Sequence, residues 1–163
     1  MKLRLLAVIC LMALISILAI ACTKQQAPDQ EERRYEFRKD GELEVVAPDG
    51  TTKARFDVEI VSTDLALMQG LKYRDKLGEN QGMLFIMSGD TAHSFWMQDT
   101  YLSLDIIYID HTRSIFQIYK NTIPFSEETL PPDKINKYTL ELLAGSCDRL
   151  NIKEGDSIRW QEL

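Results

Sequence analysis

Asp105 sits in the run Leu104-Asp105-Ile106-Ile107. A carboxylate in such apolar surroundings must be paired, strongly hydrogen-bonded or neutralised. Arg74 is the best-suited partner, because a planar guanidinium meets a carboxylate through two parallel hydrogen bonds. A structural Arg74–Asp105 ion pair is the simpler expectation. The functional alternative joins Arg74, Asp99 and Asp105 to the rings of Phe95 and Trp96. Together they would form an aromatic pocket with a polar end, suited to a sugar or another small polar ligand. Asp99, Asp105 and Glu141 also offer two carboxylates for general acid–base hydrolysis of a glycan.

Other chemistries find less support. The chain has no Gly-x-Ser-x-Gly elbow, adjacent Cys–His pair, phosphate-cradling glycine loop or His-Glu-x-x-His motif. A non-catalytic module that binds a ligand or a protein partner therefore ranks above an enzyme. Met83, Met87, His93 and Met97 are soft or borderline ligands that would suit Cu(I). Methionine is also a common core filler, so the preferred reading has no metal and no cofactor. Cys147 has no His beside it and reads as a small buried apolar residue.

The N-terminus says where this chemistry takes place. Lys2 and Arg4 precede an apolar run from Leu5 to Cys22 with no charge in it, and Ala19-Ile20-Ala21 stand just before the cysteine. This is the layout of a secretory signal peptide. With the cysteine it resembles the lipobox of bacterial lipoproteins. The resemblance implies cleavage after residue 21, a diacylglycerol thioether on Cys22, and attachment to a membrane. An uncleaved transmembrane helix is the alternative. Both place the remainder outside the cytoplasm, at the cell envelope. With Cys10 removed and Cys22 lipidated, Cys147 has no disulfide partner, so the core alone must stabilise the fold. The net charge of −6, with both signs mixed and no basic stripe, argues against nucleic acid as a partner.

The elements that must position these residues begin after a polar linker, residues 22–40, whose balanced charges and few apolar side chains read as a tether. One globular domain spans 41–163. Leu43 and Val45, then Phe56, Val58 and Ile60, alternate with polar residues and make a hairpin around Pro48-Asp49-Gly50. Thr63 caps a helix running to about Tyr73, with Leu65, Leu67, Met68 and Leu71 as its apolar face. Strands are predicted over 83–87, 93–97, 102–109, 114–119 and 137–143, a helical turn over 146–150, and a last strand ending at Trp160. Residues 120–136 form a long proline-containing loop. The fold class is α+β, mostly β: a small barrel-like sheet of about seven short strands with one main helix.

Several segments then stand in a telling order: Gly70-Leu71-Lys72-Tyr73-Arg74, Gly82-Met83-Leu84-Phe85, Phe95-Trp96-Met97-Gln98-Asp99-Thr100, Leu104-Asp105-Ile106-Ile107, Tyr138-Thr139-Leu140-Glu141-Leu142 and Lys153-Glu154-Gly155-Asp156. Over about Ala54 to Trp160 the chain resembles the domain of unknown function 192 family. The resemblance implies a small single domain, often exported, and no established reaction. In the family pattern Lys-Asn follows Phe-Trp-Met, where this chain has Gln98 and Asp99. If that asparagine has a chemical role, Asp99 replaces an amide with an acceptor-only anion.

Overall fold

The computed structural model describes residues 36–163. The expected signal peptide at 1–21, the expected lipidation site Cys22 and the linker as far as residue 35 lie outside the described residues. The last part of that linker is held against the sheet. Phe37 packs on the core, the Asp40 amide donates to the Val58 carbonyl (2.9 Å), and the Ile60 amide donates to the Asp40 carboxylate (2.9 Å).

Seven strands make one sheet: β1 (Gly41–Val46), β2 (Thr52–Val61), β3 (Gln81–Ile86), β4 (Leu104–Ile109), β5 (Ile115–Tyr119), β6 (Tyr138–Leu143) and β7 (Ser157–Glu162). Helix α1 (Asp64–Gln69) follows β2, and the single turn α2 (Ser146–Arg149) follows β6. The strand order is β5-β4-β6-β3-β2-β1-β7, and β2–β3 is the parallel pair. The sheet curls until its edge strands meet at one end, through the Ser114–Ser157 bridge and the Ile115 amide on the Asp156 carbonyl (2.8 Å). The result is the mostly β, partly closed barrel expected from the sequence.

Alternation along the strands sends side chains to two faces, and both faces are covered. One core gathers Leu43, Phe56, Leu84, Ile107, Leu140 and Ile158. The other gathers Val61, Met83, Phe85, Met97, Ile106 and Tyr108 beneath α1 and the long loops. Strand β4 lies between them, and all six of its residues are buried. For the same reason Glu59, which alternation on β2 predicts to face outward, is buried in the second core.

Two expectations need correction. Residues 93–97 are not a strand: only Phe95 pairs, in a single bridge with Leu130, and Trp96 remains half-exposed. Helix α1 ends at Gln69 rather than near Tyr73. Thr63 caps it as expected, its Oγ1 accepting from the Ala66 amide (3.4 Å), but Gly70 leaves helical geometry at φ +49°. Less than two turns cannot present a full apolar face. Leu65 and Met68 stand in solvent, Leu67 packs against the core only partly buried, and Leu71, beyond the helix end, is the one fully buried.

Candidate functional site

Register places two acids in one row across the sheet. Glu59 on β2 lies beside Met83 on β3, Met83 beside Glu141 on β6, and Glu141 beside Ile106 on β4. Strands are ~4.8 Å apart, so the two glutamates are separated by roughly 10 Å along this row. Gly82 permits the close approach of β3 to β6, since a Cβ there would lie 2.9 Å from the Glu141 carbonyl oxygen.

Arg74 serves Glu59, not Asp105. Its Nη1 meets Glu59 Oε1 and its Nη2 meets Oε2 at 2.9 Å, in a buried fork-to-fork pair. The expected Arg74–Asp105 pair fails on parity. Asp105 stands opposite Leu142 in the ladder, whereas its neighbour Ile106 stands opposite Glu141. A side-chain period of two therefore puts Asp105 on the far face of the sheet. There its carboxylate accepts three backbone amides: Asn121 (2.9 Å), Gly145 (3.3 Å) and Cys147 (2.8 Å). It fastens β4 to the start of α2, which satisfies the charge without a cation.

Glu141 has no such partner. It is 5% exposed, and nothing among the described residues hydrogen-bonds to its carboxyl group. Among the described residues it is the single acid lining a cavity of about 270 Å³ walled by Leu67, Phe85, Met87, Phe95 and Trp96, with Lys72, His93 and Thr100 also on its lining. Burial pushes the Glu141 carboxyl up to about 8, against a smaller downward pull from Arg74. At neutral pH it is therefore a neutral acid, able both to donate and to accept. A larger cavity of about 530 Å³ runs along β1, β2 and β7. Its acids are already engaged, as where Glu44 binds both Arg55 and Arg159. The smaller cavity is the one with an unused functional group.

The loop that carries Phe95 and Trp96 is pinned from several sides. Phe95 exchanges backbone bonds with Leu130, packs edge-on to Phe85 with ring centroids 4.9 Å apart, and contacts Tyr108. Asn136 holds His93 by donating to its carbonyl and accepting from its amide. The Tyr73 amide donates to the Asp99 carbonyl (2.9 Å) and the Phe125 amide to the Thr100 carbonyl (3.2 Å). Tyr73, Asp99 and Phe125 all adopt positive φ, at 62°, 58° and 62°. Such backbone is costly for bulky residues and is found where surrounding structure over-determines it.

The residues named from sequence separate accordingly. Phe95 and Trp96 line the cavity, and Lys72 reaches across its mouth, its Nζ 5.4 Å from the Trp96 ring centroid and 3.8 Å from Asp99 Oδ2. Asp99 stays at this rim, Arg74 lies behind with Glu59, and Asp105 is across the sheet. For the glycan-hydrolysis alternative, Asp105 and Glu141 stand on opposite faces of the sheet and do not form the carboxylate pair. Of the copper candidates, Met83 and Met97 are core residues, and Met97 Sδ accepts from Thr122 Oγ1 (3.2 Å). Met87 and His93 border the cavity. Sequence reasoning missed Glu59 and Asn136. An acid on an alternating strand and an asparagine in a loop carry no signal of burial.

A family model for DUF192, described as "Uncharacterized ACR", matches residues 45–160. The chain belongs to this family. Two solved structures share the fold. A "putative transcription regulator" from Sinorhizobium meliloti 1021 superposes with a TM-score of 0.72 at 30% identity, covering 77% of this chain and 97% of that one. A protein of unknown function from Novosphingobium aromaticivorans DSM 12444 gives 0.69 at 32% identity, covering 73% and 84%. No curated protein matches the chain. The local backbone also constrains the residue type at position 99. Position 99 has left-handed φ, which Asn and Asp tolerate best after glycine.

Proposed function

We propose that this DUF192 protein is a lipid-anchored, non-catalytic module of the cell envelope that binds a small ligand in the cavity between α1 and the Phe95–Trp96 loop. One observation carries the reading: a buried carboxyl group, Glu141, opens onto an aromatic-walled cavity and has no partner among the described residues. Its oxygens are not sealed off: among the described residues only Asp156 Oδ1 is both fully buried and without a hydrogen bond. The Glu141 carboxyl therefore keeps access to the cavity, where a ligand can take up the hydrogen bonds that the protein leaves open.

The location rests on the signal-like N-terminus and Cys22. Lipid attachment is tested by metabolic labelling with an alkyne fatty acid: the protein should label and Cys22→Ala should not. Ligand binding is tested through Trp96, whose emission should respond to a matching ligand in Trp160→Phe, where it is the remaining tryptophan. No response across panels of envelope glycans, amines, amino acids and short acyl compounds would sink the pocket reading. The mixed surface charge supports no nucleic-acid role.

A further inference from the structure

The second core holds two buried acids and one buried base. Glu59 and Glu141 are 3% and 5% exposed, and the single guanidinium near them, Arg74, places both terminal nitrogens on Glu59. The row is therefore one cation short at Glu141. The cavity walls beside it are the aromatic side chains of Phe85, Phe95 and Trp96. Ring faces attract ammonium groups, and the attraction strengthens where water is excluded. One ammonium already uses this property at the mouth, because Lys72 Nζ lies over the Trp96 ring.

We propose that the cavity takes a primary ammonium group on a short apolar stem, with its nitrogen against Glu141 and its carbons between Phe85, Phe95 and Trp96. This rests on the reading of the cavity as a ligand site and names its ligand class. Lys72 occupies the same aromatic face and competes for it.

The charge balance has a measurable consequence. An ammonium entering beside a neutral Glu141 displaces the carboxyl proton to solvent, leaving an ion pair and one free proton. With the carboxyl at about 8, binding at pH 6 releases about one proton and binding at pH 9 releases almost none. Apparent affinity rises roughly tenfold per pH unit up to about 8 and then levels. The other groups around Glu141 are Glu59 from β2, Lys72 and Arg74 from the segment after α1, His93 and Asp99 from the loop before β4, and Tyr108 from β4. Their charges act in wild type and in Glu141→Gln alike, so the difference between the two proteins isolates Glu141.

The experiment is calorimetric titration of the protein with n-pentylamine and with 1-pentanol, in buffers of different ionisation enthalpy, with Trp96 emission recorded in parallel. At pH 8 the amine should bind at least tenfold more tightly than the alcohol. Proton release should follow the course above. Glu141→Gln should lose both the preference and the release, and Lys72→Met should tighten amine binding. Equal binding of alcohol and amine, or amine binding without proton release at pH 6, would overturn the ammonium proposal and leave the pocket reading intact. If neither compound binds, the ammonium proposal fails, and the broader ligand panel decides separately whether the pocket reading fails with it.

Discussion

Replacing Glu141 with glutamine should make the protein's stability less dependent on pH, in a direction and by an amount that the structure sets. The carboxyl is raised from 4.5 to about 8 by burial. Below pH 4.5 both folded and unfolded chains carry the proton, and the residue contributes no pH dependence. Between 4.5 and 8 the unfolded chain ionises while the folded chain stays neutral. The unfolded state then binds fewer protons, and stability falls as pH rises. A shift of roughly 3.5 units at 1.36 kcal/mol each amounts to about 5 kcal/mol lost across this window. Glutamine keeps the shape and cannot ionise. The stability difference, Glu141→Gln minus wild type, should therefore grow by about 1.4 kcal/mol per pH unit from pH 5 to 8 and then level. Urea denaturation followed by tryptophan fluorescence measures it. Acids lowered by their partners, such as Asp110 at about 2, act in both proteins and cancel in the difference. Parallel stability curves for the two proteins from pH 5 to 9 would show that Glu141 ionises normally, and the account of a neutral buried acid would be wrong.

Arg74→Ala should destabilise the fold by about 3–5 kcal/mol in urea, because it strands Glu59 in the core, and the double variant Glu59→Gln/Arg74→Met should recover most of that loss. Asp105→Ala should cost about 3 kcal/mol or more by orphaning three backbone amides, yet leave Trp96's response to ligand unchanged because it lies across the sheet. Asp99→Asn should be neutral or stabilising by a few tenths of a kcal/mol at its left-handed φ, whereas Asp99→Val should cost about 1–2 kcal/mol by the same denaturation assay. Burial and the nearby Asp105 carboxylate raise the Cys147 thiol, so a thiol reagent should label it only after unfolding.

Local patterns were sufficient for much of the fold. Alternation located β1 and β2, the continuous apolar run located β3, and Pro48-Asp49-Gly50 placed the hairpin turn, where Gly50 has φ +88°. Thr63 was recognisable as a cap because capping is a contact between near neighbours in sequence. Phe95 and Trp96 stood out as an aromatic pair, and both line the cavity. The helix end was misjudged because Gly70 interrupts an apolar pattern that itself continues to Leu71.

What the sequence determined by itself was the family, the mostly β architecture and the inventory of chemistry-bearing side chains, since each follows from residue types a few positions apart. Only the tertiary structure decided how those side chains pair. Arg74 lies 15 residues from Glu59 and 31 from Asp105 in the chain, and both are acids that need a partner. Strand order and register decide between them, setting Glu59 and Glu141 on one face of the sheet and Asp105 on the other. Burial is decided in the same way, because a second layer of helix and loops covers the face that alternation alone assigns to water. That covering layer makes Glu141 a neutral acid at the edge of an aromatic cavity instead of an ordinary solvated carboxylate.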